Sequence, residues 1–347
     1  MSELQKRWGT QMSKISMIEQ RAKDLDEARR IRLVHPKDID VEKYIKASDI
    51  THQVHEPWVY LEQLIANYDT PAQTENLSHL CWPSSTGNFQ FRPGEVTLYA
   101  GTNGGGKSLV TGQIALGLIK QSRKVCIASF EMKPSRTLSR MLRQFSGKNF
   151  ENPLVPMKKP EFEKIVDRFL EFSDENLWLY DQQGTTSAQR IIAMTRYVAM
   201  ELGVTHVFID SLMKCVPAED AYNDQKYFVD ELCAIARDHN IHIHLVHHIR
   251  KLSNEENMPS KTDIKGTGAI ADQVDNVFLV YRNKKKEHEI QAGKEVDPQT
   301  PDLLLMCEKQ RNGEFEGWFP MWYHKESQQF IERFGGAAMA FDTKGDF

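Results

Sequence analysis

Between Phe91 and Cys307, short apolar runs alternate with longer stretches in which apolar residues return every three or four positions. The runs Val96–Ala100, Lys124–Ser129, Leu177–Tyr180, His206–Ile209, Ile241–Val246, Val277–Tyr281 and Leu303–Cys307 have the length and character of strands. The stretches Ser108–Lys120, Ser135–Phe145, Ser187–Leu202 and Asp224–His239 have the period of helices. Strand and helix in alternation predict an α/β domain, with a mostly parallel sheet and helices on both faces. The carboxyl ends of parallel strands share one edge, and ligands bind there.

The first 80 residues are patterned differently. Met12, Ile15, Ile18, Ala22, Leu25, Ala28 and Ile31 recur at helical spacing amid dense charge, which predicts an amphipathic helix. Pro36 lies just beyond it, and a second helical patch surrounds Trp58–Tyr68. A piece this small buries little surface alone. Its stripe therefore packs either on another subunit or on the main domain. The end of the chain after Phe334 has the composition of a loose terminus. These shifts divide the chain into a small helical N-terminal region (1–80), a main domain (81–335) and a flexible tail (336–347).

Composition narrows the class more than the activity. With 347 residues, 40% hydrophobic and 27% charged, the chain suits one large globular domain plus a smaller piece. The net charge of −4 does not advertise nucleic-acid binding, so any such contact has to be a local basic feature. Five cysteines without CxxC spacing suggest neither a disulfide framework nor a zinc ribbon. No run reaches the length of a membrane span, and the expected location is the cytoplasm.

The chemistry is concentrated at strand ends. Gly101-Thr-Asn103-Gly104-Gly105-Gly106-Lys107-Ser108 is a complete G-x-x-x-x-G-K-[ST] phosphate loop between a predicted strand and a predicted helix. Its glycines let backbone N–H groups converge on phosphate oxygens at a helix N-terminus. Lys107 would neutralise the β- and γ-phosphates of a bound nucleotide, and Ser108 would ligate Mg²⁺. The strand His206–Ile209 delivers Asp210 to the same edge as a second metal group. Glu131 follows the strand after the P-loop helix. Position alone leaves it either a surface carboxylate or a group that orients the attacking water.

Five segments in order, GTNGGGKS (101–108), SFEM (129–132), HVFID (206–210), TDIKGTGAIADQVDNVFLVYR (262–282) and CEKQRNG (307–313), resemble the DnaB-type ring helicases. The resemblance extends to the helicase half of phage helicase–primases and to Twinkle, and it covers roughly residues 90–330. It implies a RecA-like P-loop core in a hexameric or heptameric ring, moving 5′ to 3′ on single-stranded DNA as it hydrolyses ATP or dNTP. Glu131 then resembles the catalytic glutamate. His248 holds the place of the γ-phosphate sensor, with His247 the alternative register. Lys309 and Arg311 resemble the pair that reaches a neighbour's nucleotide, Arg311 as an arginine finger. Arg282 and Tyr323 lie where relatives sandwich the base. Lys261, Lys265, Gly266, Thr267 and Gly268 fall in the counterpart of the central-channel loop that grips DNA phosphates. The segment Met213–Tyr222 would form the other channel loop, with Lys214 a weaker candidate.

Residues 1–80 hold no counterpart of the family's large N-terminal domain or of a primase. The resemblance thus implies a stand-alone helicase of phage or mobile-replicon type, with primase activity supplied by a separate protein or not at all. The closing Asp346-Phe347, with Phe341 and Asp342, resembles tails that contact a replicative polymerase. Two other functions share the P-loop: a filament-forming recombinase of RecA or RadA type, and a non-unwinding ATPase ring. His242, His244, His247 and His248 cluster without a supporting Cys or carboxylate, which disfavours a zinc site. The Lys284–Lys286 run reads as a solvated loop.

Overall fold

The computed structural model describes residues 31–46, 61–62, 65, 77–216, 221–252, 254, 256–266 and 268–342. Its strands are β1 Ile31–Val34, β2 Ser78–His79, β3 Gln90–Phe91, β4 Val96–Gly101, β5 Val125–Ser129, β6 Leu177–Tyr180, β7 His206–Asp210, β8 His242–His248, β9 Asn276–Arg282, β10 Leu303–Gln310, β11 Gly317–His324 and β12 Gln329–Ile331. Its helices are α1 Val41–Lys46, α2 Lys107–Lys120, α3 Pro134–Ser146, α4 Lys159–Phe172, α5 Ala188–Leu202, α6 Tyr222–His239, α7 Gly268–Gln273 and α8 Lys284–Gln291.

The main sheet has the order β1-β6-β5-β7-β8-β4-β9-β10-β11-β12. Pairing is parallel from β1 through β9 and antiparallel from β9 onward. This is the mostly parallel α/β sheet that the alternation predicts. Side chains alternate across it as a period of two requires. Leu98, Cys126, Val207 and Ile243 face a core completed by α1, α5, α6 and α7. Tyr99, Ile127, Phe208 and Phe278 face one completed by α2, α3 and α4. Among the described residues no helix is long and apolar enough to cross a membrane.

The N-terminal expectation changes at Ile31. Instead of ending a helix, Ile31–Val34 pairs in parallel with Leu177–Tyr180 and extends the sheet. The free edge of β6 captures this segment, and Pro36 ends it by holding His35 out of helical geometry. Met12–Ala28 and most of the Trp58–Tyr68 patch lie outside the described residues. Further on, Trp82, Phe89 and Phe91 are buried in the core beside α2, and Trp82 Nε1 donates to the Phe330 carbonyl (2.8 Å).

The tail is a second correction. Over residues 336–342 it is anchored rather than loose. Met339 N–H donates to Gln329 Oε1 (2.6 Å), Lys120 Nζ donates to the Ala340 carbonyl (2.8 Å), Phe341 is buried, and Asp342 pairs with Arg168. An aromatic side chain that finds a pocket outweighs the glycine-rich composition around it. Asp346 and Phe347 lie outside the described residues.

The histidine-rich strands are a hydrogen-bonded core. His242 Nε2 meets Thr97 Oγ1 (2.8 Å), and its Nδ1 donates to the Arg92 carbonyl (2.7 Å). His244 bridges Tyr99 OH (3.1 Å) and His206 Nδ1 (3.0 Å), and stacks on Phe208. Burial first, and neighbouring imidazoles second, hold His206 and His244 well below the usual imidazole value. Four of the five free cysteines are buried as small hydrophobes, with Cys81 only partly covered.

Candidate nucleotide-binding site

Strands β4, β5, β7, β8 and β9 are parallel, so their carboxyl ends deliver Gly101, Glu131, Asp210, His248 and Arg282 to one edge. After Gly101 the chain turns tightly, with Gly105 N–H donating to the Thr102 carbonyl (3.1 Å), and α2 begins at Lys107. Gly106 sits at φ +92°, where a Cβ would also press on the Phe330 ring at 3.2 Å. Only glycine fits there. Lys107 Nζ donates to the carbonyls of Gly101 (3.0 Å) and Thr102 (2.8 Å), and lies 3.3 Å from His248 Nδ1. Burial pushes this ammonium down to about 8, with Asp210 and Glu131 resisting.

Ser108 Oγ donates to Asp210 Oδ2 (2.6 Å). Burial raises the Asp210 carboxyl, opposed first by that hydrogen bond. A hydroxyl and a carboxylate side by side, with space beyond them, are a hard-oxygen donor set that suits Mg²⁺ once phosphate and water complete the shell. Glu131 accepts from Ser211 Oγ (3.2 Å), and its Oε1 lies 3.7 Å from His248 Nε2. His248 is the half-buried member of the histidine pair facing the P-loop, while His247 is buried and turned the other way. The geometry therefore places His248, and not His247, beside Lys107 and Glu131. Burial and then Lys107 lower its basicity.

These groups line one open cavity of about 1000 Å³, which also takes in Asn103, Gly104 and Gly105. Lys107, Arg140, Lys214, Arg250, Lys251, Lys265 and Lys284 line it against only Glu131 and Asp210 as carboxylates. That excess suits a polyanion. Several of these residues escape sequence reasoning. Arg140 comes from α3, nine residues past Glu131, and is half-buried near Asp210. Ser211 is fully buried under Glu131. Arg140 belongs to the i, i+4 row Arg136–Arg140 on α3, the one signal that could have drawn attention to it.

The expected DNA loop is tied to the end of β8. Lys265 N–H donates to the His248 carbonyl (2.9 Å), and His247 Nε2 donates to the Lys265 carbonyl (2.7 Å). Ile249 and Ile264 form a bridge. Arg250 holds the carbonyls of Asp263 through its N–H (2.7 Å) and Gly266 through its guanidinium (2.9 Å). Gly266 adopts φ +97° against the Gln225 side chain. Lys261 is exposed in a short turn, and Gly268 starts α7. Thr267 lies outside the described residues, as do residues 217–220 of the other expected channel loop.

Lys309 and Arg311 are elsewhere. Because β10 runs antiparallel, Lys309 pairs with Val277 at the start of β9, whereas Leu303 pairs with Arg282 at its end. The two cations thus lie about 20 Å from their own P-loop edge, one strand length away. Lys309 Nζ donates to the carbonyls of Ala271, Asp272 and Val274 at the end of α7, and Arg311 pairs with Asp275 (3.0 Å). Lys309 thus rests on the partial negative charge of a helix C-terminus, and Arg311 on a carboxylate beside it. Arg282 Nη1 donates to the Gly104 carbonyl (3.1 Å) at the rim of the cavity. Tyr323, on β11, packs against Phe330 beside the same loop.

Residues 87–332 match the family model described as the DnaB-like helicase C-terminal domain. The chain is 25% identical over 212 residues to the DNA helicase/primase of Enterobacteria phage T3, across 56% of this chain and 36% of that protein. It is 24% identical over 198 residues to the replicative DNA helicase DnaB of Helicobacter pylori, across 55% of this chain and 41% of that protein. The chain thus covers well under half the length of these curated relatives. Among solved structures, an ATPase domain superposes with a TM-score of 0.67 at 17% identity, covering 81% of this chain and 99% of that one. A DnaB-like replicative helicase, described with its interactions with primase, superposes with a TM-score of 0.63 at 16% identity, covering 94% and 77%.

Proposed function

Because the chain belongs to the DnaB-like helicase C-terminal domain family, we propose that it is a ring-forming replicative DNA helicase, driven by ATP or dNTP hydrolysis between adjacent subunits. The observation that carries this reading is the end of β8. There His248 lies 3.3 Å from Lys107, and the loop 263–266 is held through the backbone of Lys265. The phosphate site and the expected DNA grip therefore share one rigid element.

In this reading Lys107 and the P-loop N–H groups hold the β- and γ-phosphates, and Glu131 orients the attacking water. Ser108 and Asp210 would hold Mg²⁺, which when bound neutralises charge on the phosphates. Lys309 and Arg311 serve the nucleotide of the next subunit, since their own lies at the opposite edge of the sheet. Arg282 and Tyr323 flank the base. Lys265, with Gly266 and Gly268 permitting close approach, grips single-strand phosphates without reading sequence. Movement 5′ to 3′, a ring of six or seven subunits, and contact with a primase or polymerase follow from the family resemblance.

The test is ATP-dependent unwinding of a forked DNA with a 5′ tail, comparing wild type with Lys107→Ala and Arg311→Ala. We expect unwinding by the wild type alone, and recovery of hydrolysis when the two variants are mixed, because each supplies the half-site that the other lacks. Robust hydrolysis without unwinding would move the assignment to a recombinase or a non-unwinding ring.

A further inference from the structure

The sequence reads Lys284–Lys286 as a solvated basic run, but the fold makes it the first turn of α8 and gives its lysines different places. Lys286 turns inward, donating to the Thr300 carbonyl (2.6 Å) and pairing with Asp302 (2.6 Å). Asn283 caps the helix by accepting from Lys286 N–H (3.0 Å), and its own amide donates to the Pro301 carbonyl (3.1 Å). The start of α8 is therefore fixed to the body of the domain.

Lys284 lines the cavity that holds the P-loop. Its ammonium lies 3.0 Å from one oxygen of Glu287, whose other oxygen pairs with Arg282 Nε. Arg282 in turn reaches the Gly104 carbonyl at the crown of the P-loop (3.1 Å). Glu287 thus fixes two cations at the mouth of a cavity already rich in positive charge. An ammonium has three donors, and Glu287 occupies one. Nothing in the fold of α8 requires a second lysine turned to the cavity, because Lys286 and Asn283 already secure the helix.

We propose that Lys284 is a direct ligand of the nucleotide's phosphate chain. The proposal rests on the reading of this cavity as a nucleotide site. A compact ammonium suits phosphate oxygens better than a base plane, which a guanidinium would stack upon. The neighbouring P-loop crown is also the part that cradles phosphates.

The test is equilibrium titration of the full chain with ATP, ADP and AMP in the presence of Mg²⁺, for wild type, Lys284→Gln and Lys284→Arg. Thermal melting checks that each is folded. Loss of one charge-assisted contact should weaken ATP binding about tenfold in Lys284→Gln. The loss should shrink from ATP to ADP to AMP, and Lys284→Arg should recover most of it. Wild-type affinity in Lys284→Gln would overturn the proposal. So would an equal loss for all three nucleotides, which would assign the contact to sugar or base. A wild type that shows this phosphate dependence but fails to unwind DNA would end the helicase reading and leave Lys284 standing. A wild type that binds no ATP would end both.

Discussion

Lys107 is an ammonium largely taken out of water by the fold itself. The fall of its pKa from 10.5 to about 8, with burial the leading cause, corresponds to roughly 3 kcal/mol against the charged form. Methionine has a similar length and no charge, so Lys107→Met removes this cost. The two carbonyls that lose the lysine keep other donors: Gly101 accepts from Ile249 N–H (3.2 Å), and Thr102 accepts from Gly105 N–H (3.1 Å). The penalty for unpaired acceptors is therefore small, and the empty variant should be more stable than wild type at pH 7 by about 1–3 kcal/mol. The sign with pH follows from the depressed value. Between about pH 8 and 10.5 the unfolded chain holds more protons at this site than the folded one, so wild type gains stability as pH rises through that window. The advantage of Lys107→Met should be complete below pH 8 and shrink toward 10.5. Saturating Mg-ATP should stabilise wild type and not the variant. Denaturant unfolding at pH 7 and pH 10, with and without nucleotide, measures all three. A variant less stable than wild type at pH 7 without nucleotide, or a gap indifferent to pH, would refute the reasoning.

Ser211→Ala should lower kcat by about tenfold through loss of the hydrogen bond that aims Glu131, with Ser211→Thr restoring part of it; an unchanged kcat in steady-state hydrolysis would rule this out. Phe341→Ala should destabilise the fold by about 3–5 kcal/mol in denaturant unfolding, and a loss below about 1 kcal/mol would mean the tail is not anchored. His206, His242 and His244 are held neutral by burial, His242 down to about 4, so the unfolded chain takes up more protons below about pH 6.5. Stability should be full above that pH and fall as it is lowered toward 4; a flat profile of unfolding midpoints between pH 7.5 and 4.5 would contradict their neutrality.

The strands of the core were legible because each carries its own period: Val207 and Ile209 face one helical layer while Phe208 faces the other. The P-loop was legible because phosphate binding imposes residue types at fixed spacing. What escapes the sequence depends on partners distant along it. Ile31 continues a helical spacing, yet it becomes a strand residue because β6 offers an unpaired edge. The helix α4 escapes although Ile165 and Phe169 recur at helical spacing, since the stretch carries no chemistry to draw attention. Arg140 and Lys284 reach the cavity from separate elements, Ser211 supports Glu131 from beneath, and only their meeting in space gives them a role.

In the proposed ring, the antiparallel turn of β10 bears on how neighbouring sites would communicate. It carries Lys309 and Arg311 away from their own P-loop, so each chain holds the phosphate loop at one edge of its sheet and the candidate finger at the other. Arg311 is held by Asp275, and the other oxygen of Asp275 accepts from Val96 N–H (2.9 Å) at the first residue of β4. That strand ends in Gly101, where the P-loop begins. A finger drawn toward a neighbour's phosphates has to exchange Asp275 for a phosphoryl oxygen, and the carboxylate it leaves is hydrogen-bonded to the strand that bears its own nucleotide site. Occupancy of one site would then bear on the next through a single strand, with no need for a large rearrangement of the core.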